Sequence, residues 1–352
     1  MCYASIPVAA NIRIASGNDW NSNRMRPKES EEYWRSEVPL ETLKARAQLL
    51  RTIRNFFESV QVLEVETPIL ASRTVTDVHI DSFEVTPFDY ERSLQREGYL
   101  QTSPEYLMKR LLAGGSGSIY QISKAFRRDE PSRLHNPEFT LLEWYRVDFT
   151  LDALMDEVES LVKLVLPEKK YPIARVSYAS LFQKYLGIDP HTITLESLRA
   201  ETCKKIDLGS EDLAREDYTQ LLFAKCIDPN IDGLCFIFDY PKDQAALAEI
   251  VNDAEGRSVA NRFELLCGDL ELANGYSELR DPAEQLRRFT EDLKGRSVRG
   301  LKKLIPDERL ISALESGLPA CSGVALGVDR LLMAKLGEDS IDRVITFTTP
   351  EA

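Results

Sequence analysis

Histidine is scarce, with three residues in 352, and the six cysteines (Cys2, Cys203, Cys226, Cys235, Cys267 and Cys321) are scattered without a CxxC pair. The chain therefore offers neither a Cys/His zinc site nor a disulfide framework, and its thiols read as those of a reducing cytosol. No run approaches the roughly 18 apolar residues of a membrane span, and the first residues lack the basic segment and apolar stretch of a signal peptide. A cytoplasmic protein with no membrane partner is expected. Low-complexity tracts, internal repeats and Pro/Gly-rich linkers are missing too, so one main domain with a small insertion near 185–230 is the simplest division. Positive charge is in deficit: 44 Lys and Arg stand against 57 Asp and Glu, a net charge of -13. Indiscriminate wrapping of nucleic acid, which rests on neutralising many phosphates, is excluded as the main activity, although a local basic patch is not.

What remains is an ordinary globular composition, 43% hydrophobic and 29% charged, in a chain long enough to bury a large core. Residues 1–36 show no sustained period and read as a flexible extension, of which the 24 residues before Met25 are expected to be dispensable. Structure is predicted to begin with a helix whose apolar stripe is Leu40, Leu43, Ala47, Leu50, Ile53, Phe57 and Val60. VLEVETPIL reads as a strand running into Pro68, FEVTPF and GYLQTS as strands, and SPEYLMKRLLAGG as a short helix with Glu105 in its first turn. SIYQISKAFRRD and FTLLEWYRVDF form a hairpin with a long charged loop. A helix over 151–168, short helices and loops to about 232, the strand LCFIFDYP, two strands around Gly268-Asp269, a helical stretch over 282–315, and a Gly-rich strand running into a helix (CSGVALGVDRLLMAKLG) complete an α+β pattern.

Three clusters combine Arg, carboxylate and Gly where a core would be apolar. Arg127 and Asp129, two apart on a predicted strand, face one side; the pair suits a phosphate with its cation, and equally a structural ion pair. Glu264, Glu271, Asn274 and Glu278 lie on paired strands, and carboxylates gathered on one sheet repel unless a metal or an amine sits among them. Gly323, Gly327, Asp329 and Arg330 permit close approach of a flat ligand with a phosphate at a helix start, or serve only the turn.

Taken in chain order, these segments resemble a known family. VLEVETP resembles motif 1 of the class II aminoacyl-tRNA synthetases, FRRDEPSRLHNPEF motif 2 and GVALGVDRLLM motif 3; TSPEYLMKRL, NPEFTLLEWY and LELANGYSEL narrow the match to the lysyl branch, over about residues 38–346. The resemblance implies a six-stranded antiparallel sheet flanked by helices, a catalytic domain over 37–352, ATP and Mg²⁺ as cofactors, and a homodimer built on motif 1. Lysyl-tRNA synthetases carry an anticodon-binding domain ahead of this one, for which residues 1–36 are too few, so stable tRNA binding is not expected. The chain is more similar to free-standing paralogues of that branch, which attach (R)-β-lysine to a lysine side chain of elongation factor P. Ala325, where lysyl-tRNA synthetases have Gly, and Arg133 two residues before His135 both fit those paralogues. Two other readings stay open: activation of α-lysine for another acceptor, and a silent paralogue.

Carried over by position, Arg127, Asp129 and Arg330 form the catalytic set. Arg127 grips the α-phosphate and the attacked carboxylate, and Asp129 replaces a longer Glu that usually meets ATP. Arg128, Arg133, His135, Asn136, Leu272 and Gly327 surround the nucleotide, with Phe139 under the adenine and Arg330 on its other face. Glu264 and Glu271 hold Mg²⁺. Ser103, Pro104 and Glu105 meet the backbone-like amine of the amino acid, while Glu143, Tyr145, Asn274 and Glu278 surround its other end and Ala325 narrows the pocket.

Overall fold

The computed structural model describes residues 34–89, 95–128, 132–167, 173–208, 213–349 and 352. Residues 1–33 of the expected extension, and Asp129, lie outside them. In chain order the strands are β1 (Leu63–Glu64), β2 (Leu70–Ala71), β3 (Glu84–Asp89), β4 (Gln95–Leu100), β5 (Ile119–Phe126), β6 (Glu138–Val147), β7 (Ala174–Ser177), β8 (Leu234–Pro241), β9 (Ile250–Asn252), β10 (Ser258–Cys267), β11 (Leu270–Ser277) and β12 (Cys321–Gly327). The helices are α1 (Leu40–Ser59), α2 (Glu105–Ala113), α3 (Leu151–Val165), α4 (Tyr178–Leu186), α5 (Leu195–Cys203), α6 (Arg215–Leu222), α7 (Pro282–Val298), α8 (Glu308–Gly317) and α9 (Val328–Leu336).

The main sheet runs β1-β5-β6-β12-β11-β10-β8-β7, with β9 on β10. Its interior, β5 to β8, is the expected run of six antiparallel strands; the parallel pairs β1–β5 and β7–β8 are added at its edges. Because successive side chains on a strand point to opposite faces, Leu142, Trp144, Ala273, Val324 and Leu326 enter the core beneath α1, α3 and α9. Their neighbours Glu143, Tyr145, Asn274, Gly323 and Ala325 are turned to the other face, where α2, α7 and α8 pack. Strand alternation thus separates a dry face from a polar one, and the polar face carries the site. A second apolar cluster joins α4 and α6 to β8.

Several boundaries differ from the sequence reading. The stripe of α1 holds in its second half, where Ile53 and Phe57 are buried, Phe57 is stacked on Tyr120 (centroids 4.3 Å apart) and Leu50 and Val60 pack against the core; in its first half Leu40 is 61% exposed, and Leu49 is buried beside the stripe. VLEVETPIL yields the two-residue β1, whose pairing with β5 stops short of Pro68, and the first residue of β2. The stretch over 171–232 contains β7, whose four residues are too few to show a period. The helical stretch over 282–315 breaks between α7 and α8, where Gly300 takes a left-handed φ of 67°. Arg127 lies just past the end of β5 rather than within it. No helix among the described residues is long and apolar enough to cross a membrane.

Candidate active site

Two cavities open on the polar face of the sheet and share Arg127, Asn274 and Ala325 in their walls. The larger, about 540 Å³, is lined by Ser103, Glu105, Glu143, Tyr145, Asn274, Glu278 and Ala325, which are the expected amino-acid contacts apart from Pro104. Sheet register brings these residues together: Ala325 is paired with Glu143 on one side and Asn274 on the other, and Gly323 with Tyr145 and Tyr276. Glu143 and Glu278 are both almost fully enclosed, and Glu143 meets two donors. Its Oε2 accepts from Ser103 Oγ (2.7 Å) and its Oε1 from Tyr145 OH (2.7 Å). Burial, with Glu105 nearby, pushes its carboxyl up to about 7 despite those donors. Glu278 is pushed up to about 8 by burial, while Lys109 pulls it back. Carboxylates so placed are poorly solvated and gain most from a cationic ligand.

The smaller cavity is a slot lined by His135, Asn136, Phe139, Glu271, Leu272, Gly327 and Arg330. Arg330, in the first turn of α9, donates from Nη1 to the Glu271 carbonyl (2.9 Å) and from Nη2 to His135 Nε2 (2.8 Å). A guanidinium only donates, so His135 Nε2 is the acceptor and its Nδ1 proton points to Ser132 Oγ (2.8 Å). Burial, then Arg330 and Arg127, lower the imidazole to about 4, so it is neutral at physiological pH. One face of Phe139 carries the Arg127 guanidinium, 5.2 Å from the ring centroid. Asn136 donates to the Glu138 carbonyl (2.6 Å) and accepts from the backbone of Thr349 (3.1 Å). Arg330 is braced from behind by its neighbour: Asp329 pairs with Arg46 of α1 (2.6 Å) and accepts from the Thr140 amide (2.6 Å).

Two expected nucleotide contacts stand elsewhere. Arg133 is drawn to Asp269 (2.5 Å) and to the Asp339 carbonyl, and lines neither cavity. Arg128 is 62% exposed near Asp81, outside both. The two expected metal ligands are also unequal. Glu271 lines the slot, whereas Glu264 lines neither cavity and is paired with Arg262, itself 4.3 Å over the Tyr240 ring. Glu264 is raised to about 7 by burial, lowered by Arg262 and raised again by Glu271, so the two carboxylates feel each other. Among the described residues no group of three or more His, Cys, Asp or Glu is placed to hold an ion alone. Mg²⁺ commonly takes one or two carboxylates and completes its shell with phosphate oxygens and water. Glu271, with Glu264 adding charge behind it, fits that chemistry.

Lys109, Arg262 and Arg46 were not among the sequence-predicted site residues. Lys109 had a visible signal, standing four residues after Glu105 on a predicted helix. Arg262 also had a signal, two residues before Glu264 on a predicted strand, whereas Arg46 meets Asp329 only through the packing of α1.

An antiparallel sheet bearing an Arg-lined slot beside an acidic pocket, with the strand-to-helix turn of Gly327 in the wall of the slot, defines the catalytic domain of a class II synthetase. Residues 23–351 match the family described as tRNA synthetases class II (D, K and N), and the chain belongs to that family. Its curated relatives carry a narrower name. The chain is 47% identical over 323 residues to the Elongation factor P--(R)-beta-lysine ligase of Vibrio cholerae serotype O1 (strain ATCC 39315 / El Tor Inaba N16961), covering 91% of this chain and 98% of the relative. It is 45% identical over 323 residues to the protein of that name from Pseudoalteromonas translucida (strain TAC 125), with coverage of 91% and 98%. For that from Klebsiella pneumoniae (strain 342) the identity is 44% over 324 residues, again with coverage of 91% and 98%.

Proposed function

We propose that this chain is an ATP-dependent amino acid ligase that activates (R)-β-lysine as its adenylate and transfers it to a lysine side chain of elongation factor P in the cytoplasm. The observation that carries the reading is the junction of the two cavities: an acidic pocket suited to a diamino acid meets a nucleotide slot at Arg127. In this reading Glu105, Glu143 and Glu278 take the amines, and Arg127 faces the amino-acid carboxylate and the α-phosphate together. The carboxylate displaces pyrophosphate, with the charge that develops met by fixed guanidinium groups. Mg²⁺ at Glu271 supplies further positive charge to the phosphates. The acceptor amine then attacks the adenylate carbonyl and AMP leaves, a route that needs no Ser, Cys or His nucleophile. The activity is assigned to residues 37–352 as one catalytic domain, with 185–230 as an insertion.

The test is a transfer assay in which labelled (R)-β-lysine and α-lysine are offered side by side to purified elongation factor P with ATP. Preferential transfer of β-lysine is expected. Ala325, bordering both cavities, carries the specificity in this reading, because its methyl displaces an α-amino group. Ala325→Gly should move the ratio of the two specificity constants toward α-lysine by about 1–3 kcal/mol. An unchanged ratio would remove this position from substrate choice.

Assembly gives a second prediction. Leu63, Ile69 and Leu70 are 58%, 37% and 40% exposed in and just beyond the motif 1 segment, apolar side chains that a two-fold partner would cover. Sedimentation at micromolar concentration should give twice the 39.9 kDa chain mass. A monomer under those conditions contradicts the dimer.

A further inference from the structure

Lys109 is almost completely buried, 1% exposed, on the face of α2 turned to the amino-acid pocket. Its ammonium lies 2.7 Å from Glu105 Oε1 and 2.6 Å from Glu278 Oε2. Burial alone would drive such an ammonium toward neutrality, but Glu105 and Glu278 more than offset it and leave the group firmly charged. Glu278 is anchored on its other side, its backbone N–H donating to the Cys321 carbonyl (3.0 Å). Each carboxylate thus has one oxygen on Lys109.

At the sheet end of the pocket three carboxyls, Glu105, Glu143 and Glu278, surround the space and one buried ammonium, Lys109, bridges two of them. The acidic groups outnumber the cation there, which suits the ammonium groups of a diamino acid. Without Lys109, Glu278 would lose the cation beside it, and a buried carboxylate without a partner takes up a proton.

We propose that Lys109 is a positioning residue, holding Glu105 and Glu278 by one oxygen each so that both present their second oxygens to the substrate amines. The inference rests on the reading of the larger cavity as a diamino-acid pocket. The titratable groups facing Glu278 are Glu105 and Lys109 from α2, Glu143 and Tyr145 from β6, Tyr276 from β11 and Cys321 from β12. Of these, Lys109 is the one that pulls Glu278 down. Removing it sends Glu278 higher still, so ionising the carboxyl to meet an ammonium at neutral pH costs more and the grip is weakened. Raising the pH restores it.

The experiment is amino-acid-dependent pyrophosphate exchange from about pH 7 to about pH 9 with parent, Lys109→Met and Lys109→Arg. For Lys109→Met the amino-acid KM should rise about tenfold or more at neutral pH and fall back as pH rises, its profile displaced upward by about one pH unit or more, with kcat changed far less. Lys109→Arg keeps the charge and should keep the parent's profile. A KM change that is the same at every pH, or an arginine variant displaced like the methionine one, overturns the proposal. Lys109→Gln supplies a second readout by calorimetry in buffers of differing ionisation enthalpy: above the parent value of about 8, at about pH 8.5, amino-acid binding should release more protons than in the parent, since the Glu278 carboxyl of the variant is still protonated there and must first ionise. Equal release overturns it, as does failure of both neutral variants to fold when the arginine variant's profile is also displaced. The parent control separates the two ideas. A parent that activates no diamino acid refutes the pocket reading, whereas an active parent with an unshifted Lys109→Met refutes the role of Lys109.

Discussion

Replacing Arg127 by alanine should lower amino-acid-dependent pyrophosphate exchange by roughly a hundredfold or more, the loss typical when a fixed donor to a developing charge is removed. Arg127 is one of three side chains in the walls of both cavities, and the only cation among them. Its position is not left to a flexible loop. The backbone N–H donates to the Pro137 carbonyl (3.0 Å), closing the hairpin beyond β5, and the guanidinium rests over Phe139. An alanine there keeps the backbone bond and loses the charge, so the effect should fall on turnover while the melting temperature changes little. Exchange within about threefold of the parent would sink the role assigned to Arg127.

Gly323→Ala should damage the amino-acid site almost as severely, through shape rather than charge. A methyl built on Gly323 would lie 2.5 Å from Glu278 Oε1 and closer still to the Tyr145 ring. Neither neighbour can step aside cheaply. Tyr145 donates to the buried Glu143, and Glu278 is paired with Lys109, so moving either breaks a buried polar contact. Overpacking of this kind costs about 1–3 kcal/mol, corresponding to roughly a five- to 150-fold rise in the amino-acid KM. Gly275→Ala is the control. Its methyl would meet Phe263 at 2.5 Å and Val324 at 3.1 Å, on the dry side of the same sheet. That variant should lower the melting temperature without a selective change in KM. If Gly323→Ala binds the amino acid within about twofold of the parent, the pocket does not lie where these residues place it.

Local order determined much of this molecule. The period of alternating side chains in β6, β11 and β12, the hairpin over 126–138 and the turn from β12 into α9 all follow from residues close in the chain, because strand and helix geometry repeat over two to four positions. The i,i+4 spacing of Glu105 and Lys109 is of the same kind. What the sequence alone did not determine is which distant groups meet. Arg133 leaves the phosphate side for Asp269, Arg46 of α1 braces Asp329, and Glu278 completes the Lys109 bridge from 169 residues downstream. Buried charges take the partner that the packed strands and helices bring within reach, and that depends on sheet register and on which helix face is turned inward. A shift of one residue in sheet register, which turns every side chain of a strand to the other face, would change those neighbours while leaving the local pattern intact.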